Sequence, residues 1–175
     1  MRSLLHRLDT FFTVQIQAWP RWLRPVMKTA SFVGYPYVTL GVIATGYMVV
    51  GWGVGDLRYA YAGGVIFITH GIGSLMKLTV GRQRPTTYTT KRWHLKTHSF
   101  PSGHALGSAA AYGTVALVAS SHGLLGAMGA LFLAVLVILI GVSRIYLGAH
   151  YPSDVAVGWL LGAAGAFIAA SFLLP

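Results

Sequence analysis

The chain has 175 residues, of which 55% are hydrophobic and only 9% are charged, against about 25% charged residues in ordinary soluble domains, so its composition excludes a typical soluble fold. It contains three Asp, no Glu and no Cys, which excludes a paired-carboxylate glycosidase, disulfides and thiolate-bound metals and disfavours a two-metal carboxylate site. The net charge of +10 raises nucleic acid as a partner, but the high apolar content favours an anionic lipid instead.

Residues 1–30 mix apolar side chains with Lys and Arg, as is typical of an amphipathic helix lying in the membrane interface. Gln15, Gln17 and Pro20 fit a signal-peptide cleavage site poorly, so this segment is expected to be retained. Asp9 is expected to cap its helix. Residues 31–175 are expected to form one membrane-embedded domain.

Uncharged stretches after residue 28 are long enough for five membrane spans, since a span needs about 20 mostly apolar residues. The long uncharged stretch in the middle of the chain is interrupted at 120–123, which predicts two antiparallel helices there. Two rows of small residues, beginning at Gly103 and Gly158, indicate close helix packing. The predicted fold class is therefore an all-α integral membrane bundle of five transmembrane helices plus the N-terminal interfacial helix. The predicted spans are 29–55, 59–76, 103–120, 124–142 and 155–175.

The ionisable residues gather on one side of this predicted bundle. That side receives the N-terminal segment and the connections 77–102 and 143–154, whereas the opposite side receives little more than Asp56 and Arg58. Two helices are expected to begin on the polar side, near Ser102 and Pro152. Free N–H groups at a helix N-terminus bind anions, and nearby Lys and Arg would make this a phosphate site.

Several residues on the polar side suit phosphate binding. Lys77 and Arg84 are about two helical turns apart, so they are expected to share a face at the end of the second span and to offer two cations to one anion. Ser102 and Gly103 suit a helix start at which backbone N–H groups approach a ligand. His104 then falls in the first turn of the same helix.

A second His is placed for nucleophilic chemistry. His150 precedes the helix that begins near Pro152, and Asp154, four residues later, can reach its Nδ1. Such a pair holds the imidazole in one tautomer, leaves Nε2 free to attack and stabilises the resulting cation.

The remaining polar groups have simpler interpretations. His70, near the middle of the second span, requires a polar partner. Four other cations are expected to be lipid head-group contacts or solvated charges. These are Arg82, Lys91, Arg92 and Lys96.

Three strings on the polar side carry a family resemblance. They are Lys77-x6-Arg84-Pro85, Pro101-Ser102-Gly103-His104 and Ser143-Arg144-x5-His150-x3-Asp154. In this order they resemble the motifs of the type 2 phosphatidic acid phosphatase superfamily, which comprises membrane lipid phosphatases, glucose-6-phosphatase and the vanadium haloperoxidases.

The resemblance implies a role for each matched residue. It implies that His150 is the nucleophile of a phosphohistidine intermediate, that Asp154 orients it, and that His104 is the general acid. It implies no metal ion and no cofactor. The residues implied to hold the phosphoryl oxygens are Lys77, Arg84, Ser102, Gly103 and Arg144.

The expected function is hydrolysis of the phosphate monoester or terminal pyrophosphate of a membrane lipid. Candidate substrates are polyprenyl phosphates or diphosphates, phosphatidylglycerophosphate, phosphatidate and lipid A phosphates. The expected partners are this lipid and the bilayer, with no nucleic acid. The alternatives are a phosphotransferase that uses the same phosphohistidine, a vanadium haloperoxidase, and a non-catalytic anionic-lipid binding or transport protein.

The expected location is the bacterial cytoplasmic membrane. The excess of Lys and Arg on the polar side favours a cytoplasmic active site by the positive-inside rule, although many bacterial members of the resembled family face outward. The loop 91–98 is a candidate lid or substrate gate.

Overall fold

The computed structural model describes residues 4–85 and 98–174, and over these ranges the chain is all-helical, as predicted. Two short irregular helical stretches, a 3₁₀ turn at Arg21–Leu23 and a π-helix at Thr39–Ala44, lie between the N-terminal helices. The α-helices are α1 Leu4–Gln17, α2 Arg24–Val33, α3 Pro36–Val38, α4 Thr45–Val54, α5 Leu57–Val80, α6 Gly103–Ser121, α7 Ala127–Tyr146 and α8 Pro152–Ser171.

Four helical stretches are long and apolar enough to cross a membrane, namely Arg21–Val54, Leu57–Val80, Ala127–Tyr146 and Pro152–Ser171. They overlap four of the five predicted spans. The first begins at Arg21, inside the segment predicted to lie in the interface. The remaining predicted span, 103–120, corresponds to α6, which lies at the centre of the bundle against α5, α7 and α8. The count of five spans therefore stays a prediction.

The turn between α4 and α5 has the predicted position and a clear cause. Gly55 adopts φ +69° directly after α4, a conformation that favours glycine. Asp56 then caps α5, because its Oδ1 accepts the Arg58 backbone N–H at 3.0 Å. The turn thus falls between the spans predicted at 29–55 and 59–76.

Helices α6 and α8 pack at backbone distance. A Cβ on Gly162 would lie 2.3 Å from the Leu106 carbonyl oxygen, and a Cβ on Gly158 would lie 2.8 Å from that of Ser102. The small-residue row on α8 is thus a packing surface, as predicted. Its effect is to hold the N-termini of α6 and α8 side by side.

Helix α1 buries polar residues and exposes apolar ones. Its buried residues are Asp9 and Thr13, whereas Leu4 and Phe11 on the other face are 71% and 57% exposed. An outward apolar face is what a helix in contact with lipid requires. The expectation that Asp9 caps this helix is wrong, because Asp9 lies within α1 and not at its first residues.

His70 on α5 has found a polar neighbour. Its Nε2 lies 3.4 Å from Oγ1 of Thr39, which begins the π-helix. The ring also fills the space above Gly107, where a Cβ would come within 2.1 Å of Nε2. Packing and one polar contact thus account for this intramembrane histidine.

Candidate active site

The three strings meet at one end of the bundle, where α5 and α7 end and α6 and α8 begin. The backbone N–H of Ser102 donates to the Asp154 carbonyl at 2.9 Å, which joins the starts of α6 and α8. His150 is 2% exposed, and Ser102 and Asp154 are fully buried. The geometry is therefore set by buried contacts between helix ends.

His150 lies in the tight connection between α7 and α8. Its backbone N–H and that of Ala149 both donate to the Arg144 carbonyl, at 3.2 and 2.9 Å. The ring has different neighbours on its two nitrogens. Nδ1 lies 3.5 Å from Asp154 Oδ2, and Nε2 lies 3.3 Å from Arg84 Nη1. Nε2 thus faces a cation, where an anionic substrate would be attracted.

Asp154 is fixed by contacts on both of its oxygens. Oδ2 accepts the Tyr151 backbone N–H at 2.9 Å, which caps α8, and Oδ1 accepts Arg82 Nη1 at 2.8 Å. With these contacts the carboxylate has one orientation toward His150.

The cations reach the site from three elements. Lys77, in the last turn of α5, donates from Nζ to the Pro101 carbonyl. Arg84 donates from Nη1 to the Ala149 carbonyl at 2.8 Å. Arg144, in the last turn of α7, donates from Nη1 to Ser31 Oγ on α2.

The prediction that Lys77 and Arg84 share a helix face is wrong. Helix α5 ends at Val80, and Gly81 takes φ +63°, a left-handed conformation that ends helices. Arg84 therefore approaches from a non-helical segment. The two cations come together by tertiary packing and not by helical spacing.

His104 and the start of α6 complete the cluster. Ser102 is the N-cap residue, with its Oγ accepting the Ala105 N–H at 3.5 Å. His104 packs its ring edge-on against Tyr35 at a centroid distance of 5.3 Å. Its buried Nε2 has no hydrogen-bond partner among the described residues. A Cβ on Gly103 would lie 3.9 Å from Lys77 Nζ, in ordinary contact, so a close approach of the protein itself does not require glycine there.

Burial and charge keep His150 neutral. Burial is the largest cause that lowers its pKa, which falls to about 4. Asp154 opposes the shift, while Arg84, Arg144 and Lys77 add to it. A histidine with this pKa has an unprotonated nitrogen at neutral pH, as nucleophilic attack requires.

The sequence did not predict the side chains that hold Asp154 in place, Arg82 and Asp9. Arg82, expected to be a head-group contact or solvated charge, instead donates from Nη1 to Asp154 and from Nη2 to Asp9 Oδ2 at 2.6 Å. Its guanidinium also lies over the Tyr151 ring, 4.3 Å from the centroid. The scarcity of carboxylates could have indicated this pairing. With three Asp for thirteen Lys and Arg, a buried cation has few possible partners.

A cavity adjoins the site on the side of α1. A cavity of about 560 Å³ lies between α1 and the segment that follows Gly81, and Thr13, Arg84 and Tyr151 are among its lining residues. Thr13 Oγ1 is buried there without a hydrogen-bond partner in the described part of the chain. Lys91, Arg92 and Lys96 lie outside the described residues, as does the rest of the candidate lid 91–98 up to residue 97.

The described ranges contain no cluster of potential metal ligands. Within 4–85 and 98–174, no three His, Cys, Asp or Glu side chains are grouped so that they could hold a metal ion. The cations that act on His150 among the described residues are Lys77, Arg84 and Arg144.

Comparison with known proteins gives a family match and named relatives. Residues 58–174 match the model of the PAP2 superfamily. The chain is 28% identical over 149 residues to phosphatidylglycerophosphatase B of Bacillus subtilis, covering 81% of this chain and 70% of that protein. It is 42% identical over 109 residues to decaprenylphosphoryl-5-phosphoribose phosphatase of Mycobacterium tuberculosis, covering 61% of this chain and 56% of that protein.

The fold has a solved counterpart. The crystal structure of a transmembrane PAP2-type phosphatidylglycerolphosphate phosphatase from Bacillus subtilis superposes with a TM-score of 0.74 at 26% identity. The match covers 98% of this chain and 87% of that one. The likeness extends beyond the three strings to nearly the whole helical arrangement.

Proposed function

The chain belongs to the PAP2 superfamily, and on that premise we propose that it hydrolyses the phosphate monoester or terminal pyrophosphate of a membrane lipid through a phosphohistidine. The observation that carries the proposal is the buried His150, with Nδ1 3.5 Å from Asp154 and Nε2 3.3 Å from Arg84. An imidazole oriented by a carboxylate on one nitrogen and facing a cation on the other is suited to attack a phosphorus atom.

In the first step His150 Nε2 attacks the phosphorus atom. The Nε2–P bond forms as the bond from phosphorus to the leaving oxygen of the lipid breaks. His104, in its doubly protonated imidazolium form, donates the proton on Nε2 to the leaving oxygen and becomes neutral. Asp154 stabilises the positive charge that develops on the His150 ring.

Cations and N–H groups stabilise the transition state. Charge develops on the equatorial oxygens of the phosphoryl group, and fixed donors around them lower the barrier. The N-terminus of α6 adds its backbone N–H groups and partial positive charge. The groups proposed for this role are Lys77, Arg84, Arg144, the Ser102 hydroxyl and the Gly103 N–H.

In the second step water releases the phosphate. The oxygen of a water molecule attacks the phosphorus atom, the Nε2–P bond breaks, and His104 takes a proton from the water. Inorganic phosphate leaves, and both histidines return to their starting states. No step requires a metal ion.

The membrane arrangement follows from the same proposal. Residues 31–175 form the catalytic domain with α6 as the fifth span, and α1, within residues 1–30, lies in the interface with its apolar face toward lipid. Substrate enters laterally, so that its tail stays in hydrocarbon while its head group reaches the cations. The cavity beside Arg84, which Thr13 and Tyr151 also line, offers space for the rest of the head group. The membrane is the bacterial cytoplasmic membrane, with charge bias favouring a cytoplasmic site.

The test is phosphate release by detergent-purified protein in excess EDTA. The substrates are phosphatidylglycerophosphate, decaprenylphosphoryl-5-phosphoribose, an undecaprenyl diphosphate, a phosphatidate and a lipid A phosphate, each beside the His150→Ala variant. We expect at least one substrate to release phosphate in EDTA and none to do so with the variant. Release that depends on an added acceptor would indicate a phosphotransferase, and release that survives His150→Ala would overturn the mechanism.

A further inference from the structure

We infer that Asp9, on α1, is a positioning residue of the active site that acts on His150 through Arg82 and Asp154. The inference rests on the proposed function and adds to it a residue outside the segment 58–174 that matches the family model. It assigns to the N-terminal helix a part in catalysis as well as contact with lipid.

The first observation is how completely Asp9 is held. It is 3% exposed. Its Oδ1 accepts the Ser153 backbone N–H at 2.9 Å, and its Oδ2 accepts the Ser153 hydroxyl at 2.6 Å and Arg82 Nη2 at 2.6 Å. A buried carboxylate with three donors has a fixed position, and here it fixes the first turn of α8 to α1.

The second observation is that Arg82 bridges two carboxylates. Nη2 contacts Asp9 while Nη1 contacts both Asp154 Oδ1 at 2.8 Å and Ser153 Oγ at 2.7 Å. The Tyr151 ring supports the flat face of the guanidinium. These contacts fix the orientation of the guanidinium, so the position of Arg82 at Asp154 is tied to its contact with Asp9.

The third observation concerns charge. One guanidinium between two carboxylates leaves the three groups with one net negative charge, and one of the two carboxylates, Asp154, faces His150 Nδ1. If Asp9 lost its charge, Arg82 would be balanced by Asp154 alone, and the carboxylate would stabilise the imidazolium less. His150 would then become a weaker base and a weaker nucleophile.

Asp9→Asn replaces none of the other charged or titratable residues around Arg82, Asp154 and His150. His6, on α1 itself, faces the Tyr151 ring at 6.3 Å. The groups that act on His150 from the remaining elements are His104 on α6, Lys77 on α5, Arg144 on α7 and Arg84 after α5. A change in the titration of His150 in an Asp9 variant therefore reports on the bridge through Arg82.

The experiment compares Asp9→Asn with Asp56→Asn in full-length protein in detergent. Both variants replace an arginine-paired carboxylate by an amide, and Asn is as good a helix cap as Asp, so Asp56→Asn is a matched control at the opposite end of α5. Ser153→Ala is a second variant, which removes a hydroxyl shared by Asp9 and Arg82. The readouts are kcat, KM, the pH profile of kcat/KM, and the ¹⁵N resonances of His150, assigned by their loss in His150→Gln.

We expect Asp9→Asn to lower kcat about tenfold, the lower end of the roughly 10–100-fold loss seen when a partner that orients a metal-bound histidine is removed. KM should change little, and the acid limb of kcat/KM should move to lower pH. Ser153→Ala should change kcat in the same direction, and Asp56→Asn should match the wild type in every readout. A folded Asp9→Asn protein with wild-type kcat and pH profile would overturn the inference. So would a loss of kcat that equals the loss of folded protein while the pH profile stays unchanged.

The ¹⁵N resonances of His150 test this inference without requiring turnover, so its failure can be distinguished from failure of the proposed function. If the wild type turns over no lipid phosphate, the proposed function fails, and the positioning role is then decided by spectroscopy alone. A lower titration midpoint or an altered tautomer of His150 in Asp9→Asn supports the role. An unchanged titration and tautomer overturn it.

Discussion

The two ends of α5 each carry Asp–Arg contacts, with opposite consequences. At its start, Asp56 and Arg58 are paired at 2.8 Å with side chains 28% and 64% exposed. Beyond its end, Arg82 is 21% exposed and pairs with Asp9 and Asp154, which are 3% and 0% exposed. Water screens the first pair, which works as a helix cap. In the buried cluster, loss of Arg82 would leave the two carboxylates as unpaired charges away from water.

The largest difference between the two ends of α5 is expected in kcat, when an Asp at each end is replaced by Asn. Asp154→Asn keeps the shape of the side chain but removes the charge that orients His150 and stabilises its cation, so kcat should fall by about 10⁴-fold, as for carboxylates that orient a catalytic histidine. Asp56→Asn should leave kcat unchanged. The measurement is steady-state turnover of the best lipid substrate, and comparable kcat values for the two variants would refute the asymmetry.

Replacing the Arg in each Asp–Arg cluster should destabilise the protein at one end of α5 but not at the other. Arg82→Gln leaves two buried carboxylates without their counter-ion, a change that costs about 3–5 kcal/mol when a buried pair is broken. Arg58→Gln removes a partner that water can replace. Thermal unfolding in detergent should show a clearly lower Tm for Arg82→Gln alone. Equal Tm values would mean that burial does not distinguish the two clusters.

The pH dependence should report the positive charges around His150. Because burial and the nearby cations lower its pKa to about 4, His150 is neutral above that pH and becomes a protonated non-nucleophile below it. The wild-type kcat/KM should therefore hold to well below pH 6.5 on its acid side. Arg84→Gln removes one of the charges that lower the pKa, so its acid limb should move to higher pH. An acid limb near pH 6.5 in the wild type, unchanged by Arg84→Gln, would contradict this electrostatic account.

The sequence predicts well whatever depends on neighbours along the chain. Gly55 and Asp56 mark the turn between α4 and α5, and Ser102 marks the start of α6, because caps and turns act over a few residues. The three strings identify the family because each keeps its residues at fixed local spacing. The prediction of a membrane lipid phosphatase is confirmed at the level of the family and its named relatives.

Contacts between distant segments escape the same reasoning. Asp9 and Ser153 lie 144 residues apart in sequence, so no spacing rule connects them. The seven-residue spacing predicts that Arg84 lies on the same helix as Lys77, whereas Gly81 ends α5 first. The apolar and basic residues of α1 predict an amphipathic helix, but the buried position of Asp9 depends on how α1 packs on α8.

The central claim, that His150 forms a covalent bond to phosphorus, is tested by trapping the intermediate. Protein mixed briefly with ³²P-labelled lipid phosphate is quenched in alkali, in which phosphohistidine is stable, and the labelled peptide is identified. The account predicts an acid-labile label on the peptide that contains His150, present in the wild type and absent in His150→Ala. Equal labelling of His150→Ala, or rapid turnover by the wild type with no label on that peptide, would contradict it.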